Sequence, residues 1–262
     1  MSSLSLSSLV RRPPLWREGG RTGLELSRLL RDPLYRGEGV PDGADRPVLL
    51  IPGFLAGDTS LGTMKQWLRR AGYHTSSARM RANVDCSEAT AQRLEARLEA
   101  LVEKTGKQAA IVGQSRGGCF ARVLAVRRPD LVQSIVTLGS PQVDPLAVHP
   151  LILLQVGVVG ALGTLGVPGL FKQSCLRGEC CTPFTDDLLG AFPKRVRYIS
   201  IYSKSDGVVD WHSCLDPAAE HMEVTASHIG MAVSVPVYRA VADALERRQT
   251  ARPGGERLRD AA

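Results

Sequence analysis

From Val48 onward, short unbroken apolar runs alternate with longer stretches in which apolar residues recur every three or four positions. The first pattern predicts strands buried on both faces, and the second predicts amphipathic helices. Val48–Ile51, ending at Pro52–Gly53, reads as the first strand. Ser60 then opens a helix with Leu61, Met64, Leu68 and Ala71 on one face, stopped at Gly72. Strands follow near Tyr73–Ala78, Ala109–Gly113, Ile135–Leu138, Val196–Tyr202 and Met222–Ala226. Helices are expected over Ser87–Lys104, where Leu94, Leu98, Leu101 and Val102 share a face, over Gly117–Arg127, and from Pro236 through Leu245.

Strands separated by helices imply a parallel sheet, here of about six strands, with helices on both faces. No polar linker divides the pattern, so one domain is expected over 46–248. A cap insertion at about 142–193 is the break in its rhythm. Residues 1–45 read as a tail followed by a docking helix carrying Leu26, Leu29 and Leu30, and 249–262 as a second tail. The stretch Leu146–Phe171 has no charged residue and is long enough to span a bilayer. Its glycines, prolines and mid-chain position favour a buried or lid-forming helical hairpin instead.

The 262 residues are 44% hydrophobic and 23% charged, which excludes wholesale disorder, collagen and coiled coil. Lys+Arg exceed Asp+Glu by 33 to 26, a modest +7. The arginines fall in scattered pairs with no aromatic-interleaved basic groove, so no nucleic-acid partner is expected. The opening MSSLSLSSLV has its charges, Arg11 and Arg12, after the semi-polar run rather than before it. A secretory leader needs the reverse order, so a cytoplasmic location is expected.

The strand at Ala109 runs directly into Gly113-Gln-Ser-Arg-Gly117, and a helix follows. This is the strand–turn–helix context in which G-x-S-x-G carries a nucleophile. The turn is so sharp that side chains two residues either side of the serine would collide, hence both glycines. Ser115 then projects above the sheet, and the Arg116 backbone N–H points where an oxyanion would form.

On Pro47-Val-Leu-Leu-Ile-Pro-Gly-Phe54, Gly113-Gln-Ser-Arg-Gly117, Ser205-Asp206-Gly-Val-Val209 and Ser227-His228, the chain from Arg46 to Leu245 resembles the α/β-hydrolase superfamily, in particular bacterial lipases and esterases. The resemblance implies the α/β-hydrolase fold and a Ser-His-Asp triad. It also implies that Phe54 lends the second oxyanion N–H, with Leu55 as the alternative donor. Pro52 stands where the related oxyanion loop usually has histidine, a departure a backbone donor tolerates.

In this fold the order along the chain is serine, acid, histidine. Of five histidines, His228 follows the last expected strand directly, with His212 as the alternative. Asp206 lies just beyond the preceding strand, before a turn glycine, with Asp210, Asp216 and Asp144 as alternatives. The chemistry expected is hydrolysis of a hydrophobic carboxylic ester through an acyl-enzyme, needing no metal or cofactor. An acyltransferase or thioesterase using the same triad, and a non-catalytic binding protein, are the other readings. The apolar cap is expected to line an acyl pocket, with Leu55, Gln114, Leu151, Leu154, Val158 and Val209 as candidate substrate contacts, and transient contact with a membrane surface fits it. Cys175, Cys180 and Cys181 lack the paired C-x-x-C spacing of zinc sites. Free thiols are the default, a cap disulfide involving Cys214 the alternative, and Cys86 and Cys119 read as isolated buried cysteines.

Overall fold

The computed structural model describes residues 15–246 except 177 and 179. Residues 1–14 and 247–262, which include the expected tail at 249–262, lie outside the described residues, and a helix already begins at Trp16. Six parallel strands form one sheet in the order β2-β1-β3-β4-β5-β6: β1 Pro47–Ile51, β2 His74–Ser77, β3 Ala109–Gln114, β4 Val132–Leu138, β5 Arg197–Tyr202 and β6 Glu220–Glu223. The helices are α1 Trp16–Arg31, α2 Gly62–Arg70, α3 Ser87–Thr105, α4 Arg116–Arg127, α5 Pro150–Thr164, α6 Gln173–Leu176, α7 Thr182–Leu189 and α8 Val235–Glu246.

Successive strand side chains point to opposite faces, and β1 shows what that does to a fully apolar run. Val48 and Leu50 enter a core shared with α1, α2 and α8, whereas Leu49 and Ile51 enter a second core under α3, α4 and α7. Leu50 pairs with Val112, Val112 with Val136 and Val136 with Ile199, so the first core runs across four strands in register. Trp67 is fully buried there, and its indole N–H donates to the Leu34 carbonyl at 2.9 Å, which fixes the N-terminal segment to the sheet.

Two sequence expectations shift. The last strand is Glu220–Glu223, not Met222–Ala226, because β6 is an edge strand with exposed polar positions and the apolar residues after it form the return loop. The 146–171 stretch holds one helix, α5, followed by an irregular return rather than a hairpin. Gly163 lies on the inner side of α5, where a Cβ would stand 2.2 Å from the Phe171 carbonyl oxygen. No described helix is long and apolar enough to cross a membrane. In α1, Leu29 is fully buried and Leu26 packs on the core, but Leu30 faces solvent.

Candidate active site

The site lies beyond the carboxyl ends of the parallel strands, where open α/β sheets bind their ligands. Strand β3 ends at Gln114 and α4 starts at Arg116, leaving Ser115 alone to turn the chain at φ 52°, ψ −125°. A non-glycine residue there is strained, and such strain persists only where the surroundings impose it. The glycines show how they do so. A Cβ on Gly113 would stand 2.4 Å from the Gly117 carbonyl oxygen, and one on Gly117 would stand 2.2 Å from that of Ile51. Both are contacts with backbone, which cannot swing aside. Gly117→Ala is therefore expected to cost roughly 3 kcal/mol, the scale of core overpacking. For a domain of this size that is a Tm drop of about 6–12 °C. A thermal melt within 2 °C or so of wild type would contradict it.

Ser115 opens on a cavity of about 200 Å³ whose walls include Phe54, Ile152, Leu153, Val156, Phe171 and Leu188. Phe54 follows Gly53, and a Cβ at Gly53 would sit 3.1 Å from that of Ser115, so the loop after β1 packs directly on the elbow. As the first residue of α4, Arg116 has a backbone N–H with no partner within the helix.

His228 and Asp206 meet on the loops that follow β6 and β5. His228 Nδ1 and Asp206 Oδ2 are 2.7 Å apart and nearly fully buried. The other carboxylate oxygen, Oδ1, accepts the backbone N–H groups of Val208 and Val209, both at 2.8 Å. Burial works to lower the His228 pKa, but the charge and hydrogen bond of Asp206, with the charge of Glu18, outweigh it and leave the pKa raised. Gln114, beside the serine, donates its side-chain N–H to the His228 carbonyl at 2.9 Å and so ties the elbow to the histidine loop. Ser115 and His228 are not hydrogen-bonded to each other here. Nucleophile–base contacts are often long before substrate binds and tighten with it.

The alternatives are placed elsewhere. His212 pairs with Asp210 at 2.7 Å, but its side chain is 67% exposed and stacks on Trp211. Asp216 is buried in an ion pair with Arg122, and Asp144 caps the exposed backbone N–H of Leu146.

None of the six expected substrate contacts lines the cavity. Leu151, Leu154 and Val158 lie on the solvent side of α5, because a helix apolar on every side carries no periodicity to reveal its inner face. Ile152, Leu153 and Val156 line the cavity instead. Leu55 turns outward with φ 61° and is half exposed. Gln114 is a brace rather than a wall. Val209 is buried and paired with Val148 at the root of the cap, while its neighbour Val208 lines the cavity.

Sequence reasoning missed helix α1 as part of the site. Glu18 is only 3% exposed, and its carboxylate accepts N–H groups from Gly207 at 2.9 Å and Ile229 at 3.3 Å, the residues just after Asp206 and His228. Glu25 accepts the Ser227 N–H and hydroxyl, and Arg21 donates to the Ser205 carbonyl and hydroxyl. One helix thus straps both loops. Glu18→Gln removes a charge that raises the His228 pKa, so that pKa falls. The acid limb of any activity needing neutral His228 then moves to lower pH. A pH–rate profile with an unmoved limb would contradict this.

The sequence pattern of the alpha/beta hydrolase fold matches residues 46–159, which hold four of the six strands and the elbow. Among solved structures, a metagenomic carboxyl esterase superposes with TM-score 0.58 at 16% identity, covering 89% of this chain and 94% of that one. The chain has the α/β-hydrolase fold. A Bacillus licheniformis lipase in its mature form shares the fold at TM-score 0.56 and 16% identity, over 79% of this chain and 94% of the lipase. A triacylglycerol lipase of Vibrio cholerae serotype O1 (strain ATCC 39315 / El Tor Inaba N16961) is 34% identical over 100 residues, 36% of this chain. That match spans 32% of the lipase's own length.

Proposed function

We propose that this protein is a serine carboxylic-ester hydrolase of the lipase and esterase kind, acting on a hydrophobic acyl group. The observation that carries the reading is the strained Ser115 at the floor of an apolar cavity, with the buried His228–Asp206 pair on the loops after β6 and β5. In this reading Ser115 Oγ attacks the ester carbonyl while His228 takes its proton. Asp206 holds the imidazole with Nε2 unprotonated and stabilises the cation that forms. The Phe54 and Arg116 N–H groups receive the oxyanion. His228 then returns the proton to the leaving alcohol, and water cleaves the acyl-enzyme by the reverse route.

The cap supports a lipid-like substrate. Its inner side offers Ile152, Leu153 and Val156 to an acyl chain, and its outer side exposes Leu151, Leu154, Val158, Leu162 and Leu165 together. Contiguous apolar surface of this kind marks a site of contact with a lipid surface or partner. The test is hydrolysis of p-nitrophenyl esters from acetate to palmitate, with fluorophosphonate labelling read by peptide mass. Turnover with the label on Ser115 is expected. Absence of both turnover and label would overturn the reading.

A further inference from the structure

The cap carries a second cluster that the ester chemistry does not use. Cys175, Cys180 and Cys181 from the cap meet Cys86, which lies 94 residues before Cys180 at the start of α3. All four Sγ atoms lie within 4.8 Å of one another. Cys86 is 3.7 Å from Cys180 and 3.6 Å from Cys181, Cys180 and Cys181 are 3.6 Å apart, and Cys175 is 3.0 Å from Cys180. A tetrahedral zinc with bonds of about 2.3 Å to four thiolates has sulfur–sulfur edges of about 3.8 Å. Three of the four measured edges match that length, and the fourth opens by less than about 1 Å to reach it. A disulfide needs about 2.05 Å, which none of the pairs approaches.

The surroundings suit a negative cluster. The Arg116 guanidinium donates to the carbonyls of Asn83 and Asp85, both at 2.8 Å, and to Ser87 Oγ at 3.0 Å, so it encloses the backbone around Cys86. No carboxylate pairs with it among the described residues. Its charge acts on the thiols of Cys119, Cys181 and Cys86 and on the Asp85 carboxylate. The hydrogen bonds of this cation go to neutral acceptors, and a tetrathiolate centre would set further negative charge beside it. Cys86 also stands at the N-terminal end of the 19-residue α3, whose dipole favours a thiolate.

We propose that Cys86, Cys175, Cys180 and Cys181 bind one structural zinc ion that fastens the cap to the start of α3. Zinc displaces the four thiol protons to solvent and leaves a doubly negative complex beside Arg116. Four protein ligands leave no open position, so the metal is structural and does not touch the substrate. Its place follows from the fold: Cys175 lines the cavity wall, so the metal fixes that wall to α3. The fourth ligand is far from the other three in sequence, which is why their spacing alone did not resemble a zinc site. The inference does not rest on the ester-hydrolase reading.

The test uses the full chain, purified without chelator, with metal measured by mass spectrometry and thiols counted by Ellman reagent in denaturant with chelator. About one zinc per chain is expected, with all six cysteines free. Cys180→Ser, which changes an exposed residue, is expected to lower bound zinc at least tenfold with the helical circular dichroism unchanged. Cys86→Ser should do the same, since serine is itself a good helix cap. Cobalt(II) exchanged into the zinc-stripped protein is expected to give the intense visible absorption of a tetrahedral thiolate complex, lost in Cys180→Ser. Six free thiols without zinc after incubation with zinc sulfate would overturn the proposal. So would missing thiols that reappear on reduction, or iron in place of zinc.

Discussion

Ser115→Ala is expected to lower ester turnover about ten-thousand-fold or more while leaving the thermal melt at or slightly above that of wild type. The two halves of that expectation have different causes. Removing the hydroxyl removes the nucleophile, and substitutions of the serine in such sites typically leave only the residual catalysis of binding and the oxyanion donors. The fold should not suffer. Alanine keeps the Cβ that already fits at φ 52° and deletes only an oxygen that faces the cavity. Turnover and melt should be measured on the same preparation. Unchanged turnover would remove Ser115 from the chemistry. Turnover lost together with the melt would mean that the elbow had collapsed, leaving the nucleophile question to the fluorophosphonate label.

The elbow was legible because everything that makes it is local. Gly113, Ser115 and Gly117 interact within one turn, and the collisions a Cβ would meet are with each other and with the adjacent strand. The burial of Val48, Leu49, Leu50 and Ile51 on both faces of the sheet was legible for the same reason. Glu18 and Glu25 were not, because their partners are 189 and 202 residues away and a glutamate on an amphipathic helix reads as a solvent-facing charge. Cys86 was hidden in the same way. The orientation of α5 failed differently. Nearly every position is apolar, so hydrophobicity carried no direction, and only the glycines did. Gly160 and Gly163 mark the side packed on Phe171, and Val156 and Ile152 continue that side toward the cavity. Reading the glycines rather than the leucines would have named the right wall.

Asp206→Asn is expected to lower kcat about ten-thousand-fold with little loss of stability, the effect known for this change in a serine triad. The geometry explains why so small a change does so much. Oδ1 of Asp206 accepts the Val208 and Val209 N–H groups, and an asparagine oxygen can keep both bonds. That fixes the asparagine NH2 toward His228 Nδ1, where Asp206 Oδ2 now lies at 2.7 Å. An NH2 there needs an acceptor, so the imidazole must carry its proton on Nε2 instead of Nδ1. Nε2 then has no lone pair for the serine proton. The same change removes the charge that, against burial, raises the His228 pKa. The acid limb of the residual activity should therefore lie at lower pH than in wild type. Asp206→Ala separates the two roles, since it also abandons the Val208 and Val209 N–H groups and should lower the melt as well as the rate. An Asn variant that kept a tenth or more of wild-type kcat would show that His228 does not depend on Asp206 for its tautomer, and the assignment of the acid would fall.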